Sequence, residues 1–250
     1  MRRVLAILGL IALFVMGAAI GSAPASSGSG QSTTPTDTST APATTTNGQS
    51  TTPTDTSTTP ATTTATTPPP PTIPQPTGHP LNNNTVENSV NGTVQARSKF
   101  QAAHAGGNDA DPVNFAYAYA HDCTTGCVAV AAAFQVALID QGTHTQTPQN
   151  IALALNYDCT HCGVFAYAYQ YAVDVPKGTH LPSSTHQDLA SIRGEAAADV
   201  AAGLPFAELD SRLRALGAKL RAAVDDGLAD EKVNGTHKRS NEHREETGGT

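Results

Sequence analysis

The sequence predicts an α+β domain: a small antiparallel β-sheet made from a duplicated strand-turn-strand unit, then a helical hairpin, the whole carried on a long disordered N-terminal stalk. Three observations predict it. The stretch Asn114 to Leu138 is stated again as Asn150 to Val173, with Asp122-Cys123-Thr124 on Asp158-Cys159-Thr160. A one-residue gap at Gly126 then brings Cys127 onto Cys162 and Gln135 onto Gln170. A period near 36 residues marks two copies of one supersecondary unit. Both copies alternate bulky and small residues with period two, the strand signature. Beyond them, apolar residues recur at three- and four-residue steps, the helix signature.

At the N-terminus, Arg2 and Arg3 precede an apolar run from Val4 to Ile20 and the small-residue string Gly21-Ser22-Ala23-Pro24-Ala25. This is the pattern of a secretory signal peptide over residues 1–25. An uncleaved membrane anchor is the competing reading, because the run is almost long enough to cross a bilayer. Cleavage removes two arginines and takes the formal charge from −7 to −9. An acidic chain excludes nucleic acid and anionic lipid as expected partners. The expected location is secreted or attached to the cell surface or wall, with membrane contact only if the segment stays uncleaved.

Residues 26–80 hold 28 Ser or Thr and 11 Pro, with Asp37 and Asp55 as the only charges and no aromatic residue. Such a composition cannot bury enough apolar surface to offset its ordering entropy, so a disordered stalk is expected. In polyproline II form, at about 3.1 Å per residue, it spans up to roughly 170 Å. Ser/Thr/Pro-rich stalks of this kind are frequent O-glycosylation targets. Residues 81–113 read as a polar leader with one or two short strands. Asn83-Asn84-Thr85, Asn91-Gly92-Thr93 and Asn234-Gly235-Thr236 are glycosylation sequons, better read as turn residues.

Residues 81–184 form the predicted β domain. In the first copy Phe115, Tyr117 and Tyr119 alternate with Ala116, Ala118 and Ala120, and in the second Phe165, Tyr167, Tyr169 and Tyr171 do the same. Each copy is read as strand, cysteine turn, strand, with one bulky face and one alanine face. The alanine face, carrying Gln135 and Gln170, is the expected interaction face, because small side chains let a partner layer come close.

All four cysteines lie in the duplication, spaced C-x3-C (Cys123, Cys127) and C-x2-C (Cys159, Cys162). In an exported chain with an even cysteine count, disulfides are the first expectation. Bridges within each turn form most easily, although cross-repeat pairing would close a longer loop. The alternative is a tetrahedral zinc site formed by all four. A redox motif ranks third, since Asp158 precedes the second pair and a strand, not a helix N-terminus, follows it. No catalytic residue is assigned and no cofactor is expected. His121, His144 and His161 occur near the turns but without an acid or nucleophile at motif spacing.

Residues 185–229 give the helical hairpin, with Leu189, Ile192, Ala196 and Val200 on one helix and Leu209, Leu213, Leu216, Leu220, Val224 and Leu228 on the next. Residues 230–250 are charged and expected to be a disordered tail.

Across roughly residues 85–229, the series NFAYAYAHDC, CVAVAAAFQVAL, TPQNIALALNYDCTHC, FAYAYQYAV and IRGEAAADVAAGLPFAELDSRLRAL resembles the extracytoplasmic region of actinobacterial membrane proteins described as peptide zinc metalloproteases. The zinc motif of that family sits in a membrane portion that has no counterpart in these residues, so its ligands and activity map onto nothing here. The resemblance implies a companion domain of such a system. These readings together predict a secreted, disulfide-stabilised, non-catalytic domain with a protein or cell-envelope partner, the alternative being a thiol-redox or zinc-binding protein.

Overall fold

A computed structural model describes residues 69, 71–73, 75–233 and 235–248. The predicted signal peptide, most of the stalk and the sequon at residue 234 lie outside the described residues. The described chain is rich in sheet, with two helices following eight of its nine strands.

The strands wind as three successive coils. The first is β1 (Leu81–Asn88), β2 (Val94–Ala105) and β3 (Asp109–Ala110); the second is β4 (Val113–His121), β5 (Val128–Asp140) and β6 (Thr145–Gln146); the third is β7 (Gln149–Tyr157) and β8 (Gly163–Val175). Equivalent legs stack in parallel, giving a β1-β4-β7 sheet, a β2-β5-β8 run and a β3-β6 pair. β4 on β7 and β5 on β8 register with no slip, so Asn114 lies beside Asn150 and Gln135 beside Gln170.

The pairing corrects the expected antiparallel sheet. The two strands of one copy lie in different sheets, and each pairs with its equivalent in the next copy. Period-two alternation is the same in a hairpin and in a stacked coil, so it cannot separate them. What separates them is which faces can meet. Ala116, Ala118 and Ala120 from the first sheet face Ala129, Ala131 and Ala133 from the second, in one buried cluster. A hairpin would leave both alanine faces on one side of a single sheet, with no second layer of matching shape.

The polar leader corrects in the same way. Residues 81–110 form a complete coil, lined inside by Asn82, Asn84 and Asn88, whose equivalents are Asn114, Ala116 and Ala120 in the second coil and Asn150, Ala152 and Asn156 in the third. These amides donate across the interior to carbonyl oxygens of the opposite sheet: Asn82 to Phe134 at 3.0 Å, Asn84 to Ala132 at 2.9 Å and Asn88 to Val128 at 2.8 Å.

Helices α1 (Ser183–Ala201) and α2 (Phe206–Asp230) carry the predicted apolar stripes. Both pack over the outer side of the second sheet, on Phe134, Val136, Phe165, Tyr167 and Tyr171. Asp199 pairs with Arg212 and Glu195 with Lys219, a reversed order that makes the hairpin antiparallel. Gly217 permits the close approach, because a Cβ there would fall 2.7 Å from the ring of Tyr169.

The charged tail, expected to be disordered, forms β9 (Thr236–Thr247). It pairs antiparallel with β8 through its backbone. Its inward side chains serve the neighbouring sheet: Ala152 N–H donates to His243 Nδ1 at 3.3 Å and Ala154 N–H to a Glu245 carboxylate oxygen at 3.1 Å. One strand therefore closes two sheet edges, and its charges are what make it able to do so. Among the described residues, no helix is long and apolar enough to cross a membrane.

The ladder through Asn114 yields a stability prediction. Asn114 accepts from Asn82 at 2.8 Å and donates to Asn150, Ala133 and Tyr169 at 2.8, 3.1 and 3.0 Å, all buried. Asn114→Ala is expected to cost about 3 kcal/mol through stranded partners. Urea denaturation checks it, as a lower midpoint at unchanged slope.

Candidate functional site

The site lies at the corner that joins the two long legs of each coil. β4 ends at His121 and β7 at Tyr157, and the residues that follow, Asp122 and Asp158, have φ of 56° and 45°. Asp tolerates this left-handed conformation better than most residues, so its recurrence before each cysteine is a corner requirement. In the first coil Asn91-Gly92 makes the equivalent corner: Asn91 Oδ1 accepts from the Thr124 and Thr125 N–H groups at 2.7 and 3.0 Å, and Gly92 N–H donates to Gly126 at 2.6 Å.

Each cysteine pair forms a disulfide within its turn, Cys123–Cys127 and Cys159–Cys162, with Cα separations of 6.2 and 5.9 Å. These fall in the range a disulfide bridges without moving the backbone. The two turns stack directly, with Thr160 N–H donating to Cys123 O at 2.8 Å and Gly163 N–H to Cys127 O at 3.0 Å. Gly126 has φ 88°, and a Cβ there would meet His161 O at 2.9 Å, so the extra residue of the first turn must be glycine for the turns to nest.

Stacking puts all four sulfur atoms within 4.8 Å of one another. Cys127 Sγ is 3.4 Å from Cys162 Sγ and 3.6 Å from Cys159 Sγ. Zinc bonded to sulfur at about 2.3 Å would set tetrahedral sulfurs some 3.8 Å apart, so the cross-coil spacings suit a metal once both disulfides are opened. The groups facing the sulfurs do not favour thiolate. His121 O, Asn88 O and Thr160 O lie 3.4, 3.5 and 3.6 Å from Cys123, Cys127 and Cys162, and carbonyl oxygens repel a negative sulfur.

The expected interaction face is corrected by burial. Gln135 and Gln170 are 0% and 2% exposed, inside the coils with the alanines. Gln170 Nε2 donates to Gln135 Oε1 at 2.7 Å, and Gln135 Nε2 to Gln101 Oε1 at 2.8 Å, forming a second amide ladder. Both side chains also cap carbonyls of the third corner, Gln135 at Val113 O and Gln170 at Pro112 O. Asn82 and Gln101 escaped the sequence reading, and Asn114 and Asn150 entered it only as the first residues of the two copies. The recurring dipeptides Phe100-Gln101, Phe134-Gln135 and Tyr169-Gln170 are the signal that marks the first coil.

His121 and His161 lie at the same corner of successive coils, and His144 lies at another. His144 precedes β6 and His161, with φ 57°, sits inside the third-coil cysteine turn. His121 bridges two coils, its Nε2 2.7 Å from Glu87 and its Nδ1 2.8 Å from Asp122, with the Tyr119 ring stacked on it at 4.6 Å. Burial works to lower its pKa, but hydrogen bonds to Asp122 and Glu87 and their negative charge outweigh it, and the pKa is raised above the usual histidine value. No protein-family model, curated protein or solved structure matches the chain.

Because the folded pKa of His121 is raised, its bridge stabilises the fold fully below the ordinary histidine range and is lost as pH rises through the raised value. The melting-temperature gap between the native chain and His121→Gln is therefore expected to be wider at about pH 5.5 than at about pH 8.5. A gap that widens with pH contradicts the bridge. For the turns, replacing Cys159 and Cys162 by serine is expected to cost about 2 kcal/mol, the value for closing a loop this short, read from the same urea titration.

Proposed function

We propose that the protein is a secreted, non-catalytic coil domain on a Ser/Thr/Pro-rich stalk, acting in cell-envelope structure or protein recognition. One observation carries the reading: the chemically capable residues that recur from coil to coil are each engaged in holding the coils together. The Asn and Gln amides form ladders, the cysteines form disulfides, and Asp122 and Asp158 turn corners. Repetition here serves stacking, and stacked coils hold their outer faces in register, which suits presenting a surface. The N-terminal Arg2-Arg3 segment followed by Val4 to Ile20 supports export, as do disulfides, which persist in oxidising compartments. The formal charge of −7 supports a protein or wall partner over nucleic acid. Likeness to the extracytoplasmic region of peptide zinc metalloproteases fits the same location, with an accessory role beside such a membrane system.

A second reading is favoured by one measurement, the 4.8 Å cluster of four sulfurs: in a reducing setting the same cysteines hold zinc. The two separate cleanly by experiment. The protein made through an export pathway is expected to show an intact mass lacking four hydrogens relative to the fully reduced chain. It should take up iodoacetamide at its cysteines only after reduction, and carry no metal by elemental analysis. Free thiols with stoichiometric zinc would instead establish the second reading. Hydrolytic turnover abolished by His161→Ala or Asp158→Asn would overturn the non-catalytic one.

A further inference from the structure

The two sheets differ in what covers their outer faces. The β2-β5-β8 face lies under α1 and α2, whereas neither helix packs on the β1-β4-β7 face. Yet the middle strand of that face, β4, presents Phe115, Tyr117 and Tyr119 at 1%, 1% and 4% exposure. The three rings stack in a row, with centroids 6.2 and 6.0 Å apart. The row is flanked by Ile151, Leu153 and Leu155 of β7.

The segment that reaches this row is the proline-rich end of the stalk. Ile73 packs against the aromatic cluster. Pro71, Ile73 and Pro76 are half-buried, whereas Thr72, Gln75 and Thr77 are exposed, so one side of the segment faces the protein. The segment is also held at the foot of β4: His79 bridges to Asp111, and Gly78 runs so close that a Cβ would fall 2.3 Å from Val113. A proline-rich segment suits such a row of rings, because it is already extended, which lowers the entropy of docking.

We propose that the aromatic outer face of the β1-β4-β7 sheet is a docking site for a proline-rich extended peptide, and that its occupant is the chain's own segment around Pro71, Ile73 and Pro76. The segment is thereby anchored along the side of the coils. Ile73 fills the space over the rings.

The test uses the full chain and hydroxyl-radical footprinting read by mass spectrometry. In the native chain Tyr117 and Tyr119 are expected to be protected. In a variant carrying Pro71→Gly, Ile73→Asp and Pro76→Gly they are expected to lose that protection, while Tyr167 and Tyr171 under the helices keep theirs and report an intact fold. A synthetic peptide of residues 64–78 added in excess is expected to restore protection to the variant. The milder Ile73→Ala is expected to give partial loss, and serves if the triple variant does not fold. Open labelling of both tyrosines in the native chain overturns the proposal. Protection that survives the triple substitution also overturns it, and shows a different cover. If that protection then falls on dilution, the cover is a second copy.

Discussion

The structure depends on a backbone that turns the same three corners in register, and the amide ladders are what fix that register. A parallel stack whose interior is alanine has little shape to prevent slippage, because one alanine layer resembles the next. Asn82-Asn114-Asn150 and Gln101-Gln135-Gln170 supply the missing specificity. The middle amides, Asn114 and Gln135, have a neighbour above and one below, and a slip of one residue would strand several ladder members in a dry interior at about 1–3 kcal/mol apiece. The alanines and the amides thus have separate tasks. Small side chains set how close the sheets come, and amides set how the coils align.

Much of this was legible in the residues, and the failures have physical causes. The duplication, the strand periodicity, the within-turn bridges and the helical stripes were all local patterns, and local patterns survive in sequence. The direction of pairing was not local. Nothing between Asn114 and Leu138 says whether the following strand folds back beside the first or crosses to another layer, and the decision rests on two alanine faces finding each other. The first coil was hidden for a related reason. Its inward residues are asparagines, so a search for alternating apolar residues passes over it, although Asn82 and Gln101 occupy the ladder positions. Charge misled at the tail, where Glu245 and His243 read as solvated side chains and instead close the edge of β7.

Gln135 and Gln170 show how a correct observation can take the wrong sense. They do mark a special face, one where another layer comes close, but that layer is the opposite sheet of the same domain. The outer faces then divide the remaining work. One is covered by an amphipathic hairpin whose leucines meet tyrosines and phenylalanines. The other carries a row of rings that neither α1 nor α2 covers, and Ile73 packs on it where the described chain leads into β1.

A stack of parallel coils has no intrinsic reason to stop, since every exposed edge is a template for the next. β9 supplies the stop at one end by reversing direction and presenting charges inward. At the other end β1 and β2 have no strand beside them among the described residues. An end sealed by a reversed strand cannot template further pairing, so edge pairing cannot grow such a molecule into a fibre, since propagation needs two complementary ends on every unit.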